Sequence, residues 1–333
     1  MMNYNSLTLL TRGLRAFMVG AALFSAAIAS ESAEEYPNRP LRLIAPFTAG
    51  SGTDAAARLL ADGLTRKLGQ PVVVENRPGA NTAIGSALAA KSATDGYTLV
   101  MIFVDNMSLN PAIKSDLGYK PSDFDPVAIV GQIPLVLLGA PQLPYSNINE
   151  LKAAAQQGKK TYSFGTWGNG SVAHVVGVML NESGLFDFNY IPYAGSAPAT
   201  NAVMGGHVDL AIATSATAET LLASGKAKAL AVGSPQRLPN LPGVPTMAES
   251  GFGNVQAIQW HGLAVRAGGD PAIIGRLQDA VAAIYAEPES RERFLKLGYM
   301  EVGGMTAAQF KTFIQTTSPA WANAVKAGHI TAD

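Results

Sequence analysis

The stretch PVAIVGQIPLVLLGA at 126–140 carries no charged side chain. It is too long and too apolar for one strand inside one sheet, where about five or six residues is usual. It reads as a crossover that leaves a first sheet and begins a second. Upstream, LRLIAPF (41–47), PVVVENR (71–77) and YTLVMIF (97–103) have the make-up of buried strands. Between them, 53–69 and 83–93 have helical spacing. Strand–helix–strand–helix–strand predicts a parallel sheet covered by helices on both faces. The run 104–125 reads as a long connection.

Downstream the pattern restarts. Helices are predicted at 148–158, 171–184, 197–206 and 218–225, and strands at 161–167, 188–194, 208–214 and 227–233. A Pro- and Gly-rich loop fills 238–251. VQAIQWHGLAV (255–265) is a second long apolar run, and 271–287 and 306–328 form a helical tail. The class is therefore α/β, with two α/β domains joined by a two-strand hinge. The first domain is discontinuous, 36–131 plus 257–333, with the tail packed on it; the second is 132–256. Such a pair closes on a ligand held at the carboxyl ends of both sheets.

The chain has 333 residues, 48% of them hydrophobic and 14% charged, as suits a globular protein large enough for two domains. Lys+Arg and Asp+Glu balance at 24 each, so no global field draws it to nucleic acid or an anionic membrane. Cysteine is absent, which excludes thiol catalysis, thiolate metal sites and iron–sulfur clusters. At the N-terminus Arg12 and Arg15 precede AFMVGAALFSAAIA (16–29), which ends in an A-x-A sequence, Ala27–Ala29. That is the form of a cleaved signal peptide at 1–29, placing the mature chain in the periplasm. A membrane anchor is the competing reading, but it needs about 20 apolar residues. Cleavage removes two arginines and no acid.

Two turns share the form G-x-G-x-x-A: GSGTDA (50–55) and GNGSVA (168–173). After a strand and before a helix, this pattern marks a dinucleotide site, and Glu75 stands where such a site places its ribose acid. Three points oppose a nucleotide. The chain is read as exported, the second copy has Tyr193 where an acid would be required, and no catalytic set lies near either turn. The physical content of the turns remains. Glycines admit a close backbone approach, and a helix N-terminus carries about half a positive charge. Thr53 and Ser171 are candidate caps, and Asp54 suits a first turn. Two such ends facing one cleft suit a small carboxylate.

Hydrolase chemistry lacks support. Neither Ser51 nor Ser196 lies in G-x-S-x-G, and His174, His207, His261 and His329 show no metal-ligand spacing. No catalytic residue, metal or cofactor is expected. His174, on the first turn after Gly170, either touches a ligand or packs on its helix; His207 and His329 read as surface residues. Asp105, just past the third strand, either reads a ligand hydroxyl or ammonium or caps a loop. Trp167 either stacks on a planar ligand or packs beneath its turn. Tyr193, Thr214 and Ser215 end strands of the second domain and would line the same cleft.

The segments YPNRPLRLIAPFTAGSGTDAAARLLADGL, VVVENRPGANTAIGSALAAKSATDGYTLV, IPYAGSAPA and LAVGSPQRLPNLPGVPTMAESG resemble the substrate-binding receptors of tripartite tricarboxylate transporters, the Bug family. The resemblance runs from about Tyr36 to the last residues. It implies a two-lobed, type II-like periplasmic binding protein without catalytic activity. Such a receptor closes on a small organic acid, mono- or dicarboxylic or aromatic, and passes it to membrane permease subunits. It implies a monomer with no cofactor. It also implies that the loop Phe47, Thr48, Ala49, Gly50, Ser51, Thr53 and Asp54 grips a carboxylate or carbonyl through backbone groups and water. The second lobe would add the turn Gly168–His174, with Asn169, Gly170, Ser171 and His174, and the strand ends Tyr193, Thr214 and Ser215. Departures from the family pattern are Thr48 for proline, Ser51 for glycine and Asn81-Thr82 for a glycine-rich pair. VDLAIATSA also lacks an acid at its strand end, which argues against an amino-acid ligand. The alternatives are an NAD(P)-dependent oxidoreductase using Gly50–Ala55 with Glu75, and a receptor presenting its ligand to a sensor kinase.

Overall fold

Every residue of strand β3 (Thr98–Phe103) is buried, which requires cover on both faces of its sheet. β3 and β2 (Val72–Asn76) flank β1 (Leu41–Ala45), and both pairings are parallel. The computed structural model describes residues 36–158, 160–255 and 257–331. It divides the chain into Met1–Asn38 and Arg39–Asp333. The signal-peptide reading of 1–29 lies outside the described residues. Residues 36–38 include a cis peptide bond between Tyr36 and Pro37. All elements named below belong to the second unit.

Helix α1 (Gly52–Leu68) starts at Ser51, whose hydroxyl accepts from the Asp54 N–H, and stops at Gly69 in the left-handed conformation. The cap is therefore Ser51 and not the expected Thr53. Residue 51 has the extended backbone of an N-cap, whereas Thr53 is already inside the helix. Helix α2 (Ala83–Ala90) leads to β3. The expected connection at 104–125 has structure of its own. It comprises a π-helical turn at Asp105–Leu109, a short helix α3 (Asn110–Ile113) and a 3-10 turn at Pro121–Asp123.

The run at 126–140 is one strand, β4 (Phe124–Gly139), of 16 residues shared between two sheets. From Phe124 to Pro134 it pairs antiparallel with β9 (Ile258–Arg266), which also pairs with β3. From Leu135 it pairs with β7 (Leu210–Thr214) and β8 (Lys228–Val232). Pro134 has no N–H to continue the ladder. At the switch, Leu135 donates to the Ala257 carbonyl (2.9 Å) and accepts from the Gly233 N–H (2.8 Å). β5 (Thr161–Thr166) pairs parallel with β7 and with β6 (Asp187–Pro192). The strand path is β2-β1-β3-β9-β4-β7-β5-β6, with β8 and β10 (Glu301–Val302) also on β4.

Period-two alternation gives β4 two cores in its second half. Leu135 and Leu137 join one cluster with Phe164 and Val175; Val136 and Leu138 join another with Val203 and Leu221. The surrounding helices are α4 (Ile148–Gln157), α5 (Val172–Asn181), α6 (Ser196–Met204) and α7 (Ser215–Ala223). In the tail, α8 (Pro271–Tyr285) and α9 (Pro288–Lys296) pack on α1. The last helix, α10 (Ala307–Ala327), lies against β4, the π-helical turn and also α5. Its buried Phe310, Ile314, Trp321 and Val325 follow helical spacing. Helix α9 and strand β10 had no expectation from the sequence, because PESRERFLK buries only Ser290 and Phe294.

Candidate ligand cleft

A cavity of about 390 Å³ opens at the carboxyl ends of the strands. Its wall takes Phe47, Thr48 and Ser51 from the β1–α1 loop, Thr53 from the first turn of α1, and Asn81, Thr82 and Asp105 from the same side. Trp167, Ser171, Gly195, Ser196, Thr214 and Thr217 come from the β5–β7 side, and Ile133, Gln259, His261 and Tyr299 complete it. Among the described residues, no lysine or arginine lines it. Polarity comes instead from hydroxyls, amides and helix ends.

The helix ends differ in what occupies them. At α1 the Ser51 hydroxyl satisfies the Asp54 N–H, leaving the Gly52 and Thr53 amides to the cavity. Asp54 itself turns away. Its carboxylate accepts from the Gly50 N–H (2.9 Å), the Arg58 guanidinium (3.0 Å) and Asn76 (2.8 Å). Burial pushes its pKa up, but these bonds outweigh burial and hold it below the usual carboxylate range.

At α5 the Ser171 hydroxyl caps the His174 N–H, and the Gly170 N–H is accepted by His174 Nδ1 (3.2 Å). Asp105 is buried in the wall; burial raises its pKa to about 6, against the influence of Asn81 and of the Asp105 and Val172 backbone N–H groups, which favour the charged form. The π-helical turn that presents it is pinned by Asn106. That side chain accepts from the Phe103 N–H (2.7 Å) and donates to Ser86 (3.0 Å).

Helices α6 and α7 have no side-chain cap. Gly195 precedes α6 with φ 118°, a conformation closed to ordinary side chains, so the chain enters the helix sharply beside the cavity. Pro198 removes one of the first-turn N–H groups, leaving those of Ser196 and Ala197 at this end.

The remaining sequence candidates fall as follows. Ala49 and Gly50 are exposed on the β1–α1 loop, outside the cavity lining. The Asn169 side chain donates to the Thr331 carbonyl (3.1 Å). Gly170 is buried at φ 71°, and a Cβ there would stand 2.5 Å from Ile113 Cδ1. The His174 ring packs on Tyr190 at 4.6 Å, and burial lowers its pKa. Trp167 reaches the wall while its indole N–H donates to the Ile212 carbonyl (3.0 Å). Tyr193 packs near Gly165, and the Ser215 hydroxyl donates to the Gly298 carbonyl (3.1 Å). Thr214 is in the wall, its hydroxyl 3.1 Å from that of Thr217. Glu75, the candidate ribose acid, is paired with Arg77 and Arg42.

Sequence reasoning passed over Gly195-Ser196, Gln259, His261 and Tyr299. Two of these signals were available. GSAPA repeats the glycine-then-helix logic of the other turns, and Gln259 and His261 are polar residues at period two inside an apolar run.

A two-lobed α/β unit whose strand ends and helix N-termini meet around a cavity without cationic side chains defines a solute receptor of the periplasmic-binding type. The family of tripartite tricarboxylate transporter receptors, TctC, matches residues 56–329. Protein BugT of Bordetella pertussis is 36% identical over 93% of this chain and 95% of its own length. Among solved structures, the periplasmic binding protein BugD is 33% identical with a TM-score of 0.76, covering 89% of this chain and 100% of that one. MatC from Rhodopseudomonas palustris, solved with bound malate, is 28% identical with a TM-score of 0.75, over 87% of this chain and 100% of its own. The chain belongs to the tripartite tricarboxylate transporter receptor family, the Bug proteins.

Proposed function

We propose that the chain is exported to the periplasm by cleavage after Ala29, captures a small dicarboxylate between its lobes, and delivers it to permease subunits of a tripartite tricarboxylate transporter. It acts as a monomer and as a receptor without catalysis. The hinge lies at Pro134–Leu135 on the outgoing strand and near Ala257 on the return.

One observation carries the ligand class: the N-termini of α1 and of the uncapped α6 line one cavity that, among the described residues, has no lysine or arginine. Each end offers paired amides and a partial positive charge, which suits a carboxylate group. Two such ends on different lobes suit a ligand with a carboxylate at either end, and binding both draws the lobes together. The second-lobe contact is assigned to Gly195–Ser196, where α6 has no side-chain cap, with Ser171 beside it in the wall. MatC, with its bound malate, accords with this reading.

Calorimetric titration of the mature protein with four- to six-carbon dicarboxylates, with the matching monocarboxylates, and with NAD tests it. Dicarboxylates are expected to bind at least about tenfold tighter than monocarboxylates, the value of one further charge-assisted contact. Binding of NAD alone would overturn the proposal.

A further inference from the structure

His261 sits on β9, opposite Phe103 of β3 and Gly131 of β4. It is 2% exposed and forms part of the cavity wall. Its Nδ1 is 2.6 Å from the Tyr299 hydroxyl, while its Nε2 is buried without a hydrogen-bond partner. Four other described residues have such an orphaned side-chain atom: Asn181, Tyr190, Trp260 and Tyr285. None of those four lines this cavity.

Proton bookkeeping fixes what the orphan offers. A neutral imidazole and a phenol bring two polar hydrogens, and their mutual bond uses one. The phenol is the better donor and an imidazole nitrogen the better acceptor, so Tyr299 donates to Nδ1. The second hydrogen is then on Nε2, a buried donor with no acceptor among the described residues. Burial also pushes the ring's pKa down to about 3, so the imidazole stays neutral at physiological pH. Edge-to-face contacts with Phe103 (4.7 Å) and Tyr299 (5.5 Å) hold the ring in place.

The position selects the kind of acceptor. In the strand order, β9 lies between β1, which leads into α1, and β6, which leads into α6. His261 and both helix ends line one cavity, so a ligand held by its ends at α1 and α6 lies against the wall that His261 helps form. A neutral donor at mid-ligand matches a neutral oxygen better than a third carboxylate, which the wall has no cation to balance.

We infer that His261, oriented by Tyr299, is a specificity-determining residue that donates from Nε2 to a hydroxyl or keto oxygen on the central carbons of the ligand. This rests on the dicarboxylate reading above. It makes the receptor one for oxygen-substituted dicarboxylates in preference to plain ones.

Malate and succinate, which differ by one hydroxyl, are the probes, titrated into wild type, His261→Phe and His261→Gln. Wild type is expected to favour malate by about tenfold, the worth of one buried hydrogen bond. His261→Phe keeps an aromatic ring against Phe103 and is expected to bring the two affinities within about twofold, chiefly by weakening malate. His261→Gln, which keeps an N–H donor, restores part of the preference. Far-ultraviolet circular dichroism and thermal melts of each variant separate loss of recognition from loss of fold. If His261→Phe does not fold, Tyr299→Phe is used instead; it frees the imidazole to turn and should lower the malate preference. An unchanged malate-to-succinate ratio in a folded variant, with dicarboxylate binding intact, overturns this inference and leaves the dicarboxylate reading standing. Failure of wild type to bind any dicarboxylate overturns both.

Discussion

Asp105 and Ser196 show how much a single residue settles in this cleft. Asp105 titrates near 6 in the folded protein against an ordinary 3.8, so the folded state holds its proton more tightly than the unfolded chain does. Its contribution to stability is therefore full below about pH 3.8 and is lost as pH rises through about 6. Asp105→Asn removes that dependence. Between pH 4 and pH 7 the melting temperature of wild type is expected to fall relative to the variant, by the equivalent of about 2 kcal/mol. Parallel curves would show that Asp105 does not carry the titration. Ser196 opens α6, where proline is well tolerated because the N–H it removes has no partner within the helix. Ser196→Pro is expected to leave the melting temperature within a few degrees of wild type while weakening dicarboxylate binding about tenfold or more. Unchanged affinity would place the ligand elsewhere.

At the scale of elements, the switch strand β4 depends on close backbone approach. Gly233 donates to the Leu135 carbonyl, and a Cβ on Gly233 would collide with the Ala257 backbone, which accepts from Leu135. Gly233→Ala is expected to cost about 2 kcal/mol or more, read as a lower midpoint in urea. No shift would mean that the return segment moves aside freely. This strand was legible in the sequence because an uncharged run of its length fits no single sheet. Most other elements were legible from their periodicity. The π-helical turn was not, because its hydrogen bonds depend on Asn106 meeting Ser86 and the Phe103 amide, partners brought together only by the fold. The cleft was half legible for a related reason. GSGTDA and GNGSVA look alike as strings. Only tertiary structure shows that Asp54 takes the Gly50 amide and turns away at one, while His174 takes the Gly170 amide and packs on Tyr190 at the other.

For the whole molecule, the balance of 24 basic and 24 acidic residues matters as much as the absence of cations in the cavity. Anion binding by amides and helix ends inside a cleft is shielded from the ionic atmosphere, whose screening length is about 8 Å at physiological salt. Raising sodium chloride from about 0.05 to about 0.5 M is expected to change the dicarboxylate affinity less than about threefold. A steep salt dependence would point to surface lysines or arginines as the anchors.

The position of β9 has a consequence for how the molecule is made. It lies between β3 and β4, yet it begins at Ile258, after the second sheet's strands β5 to β8 are complete. During synthesis the second lobe has all its strands before the first lobe has its central one. The first lobe's sheet is therefore completed only when the final quarter of the chain has been made. Pairings this distant in sequence form slowly. Under the export proposed above, that delay is an advantage: a polypeptide that cannot close its sheet early remains threadable until almost all of it has been delivered.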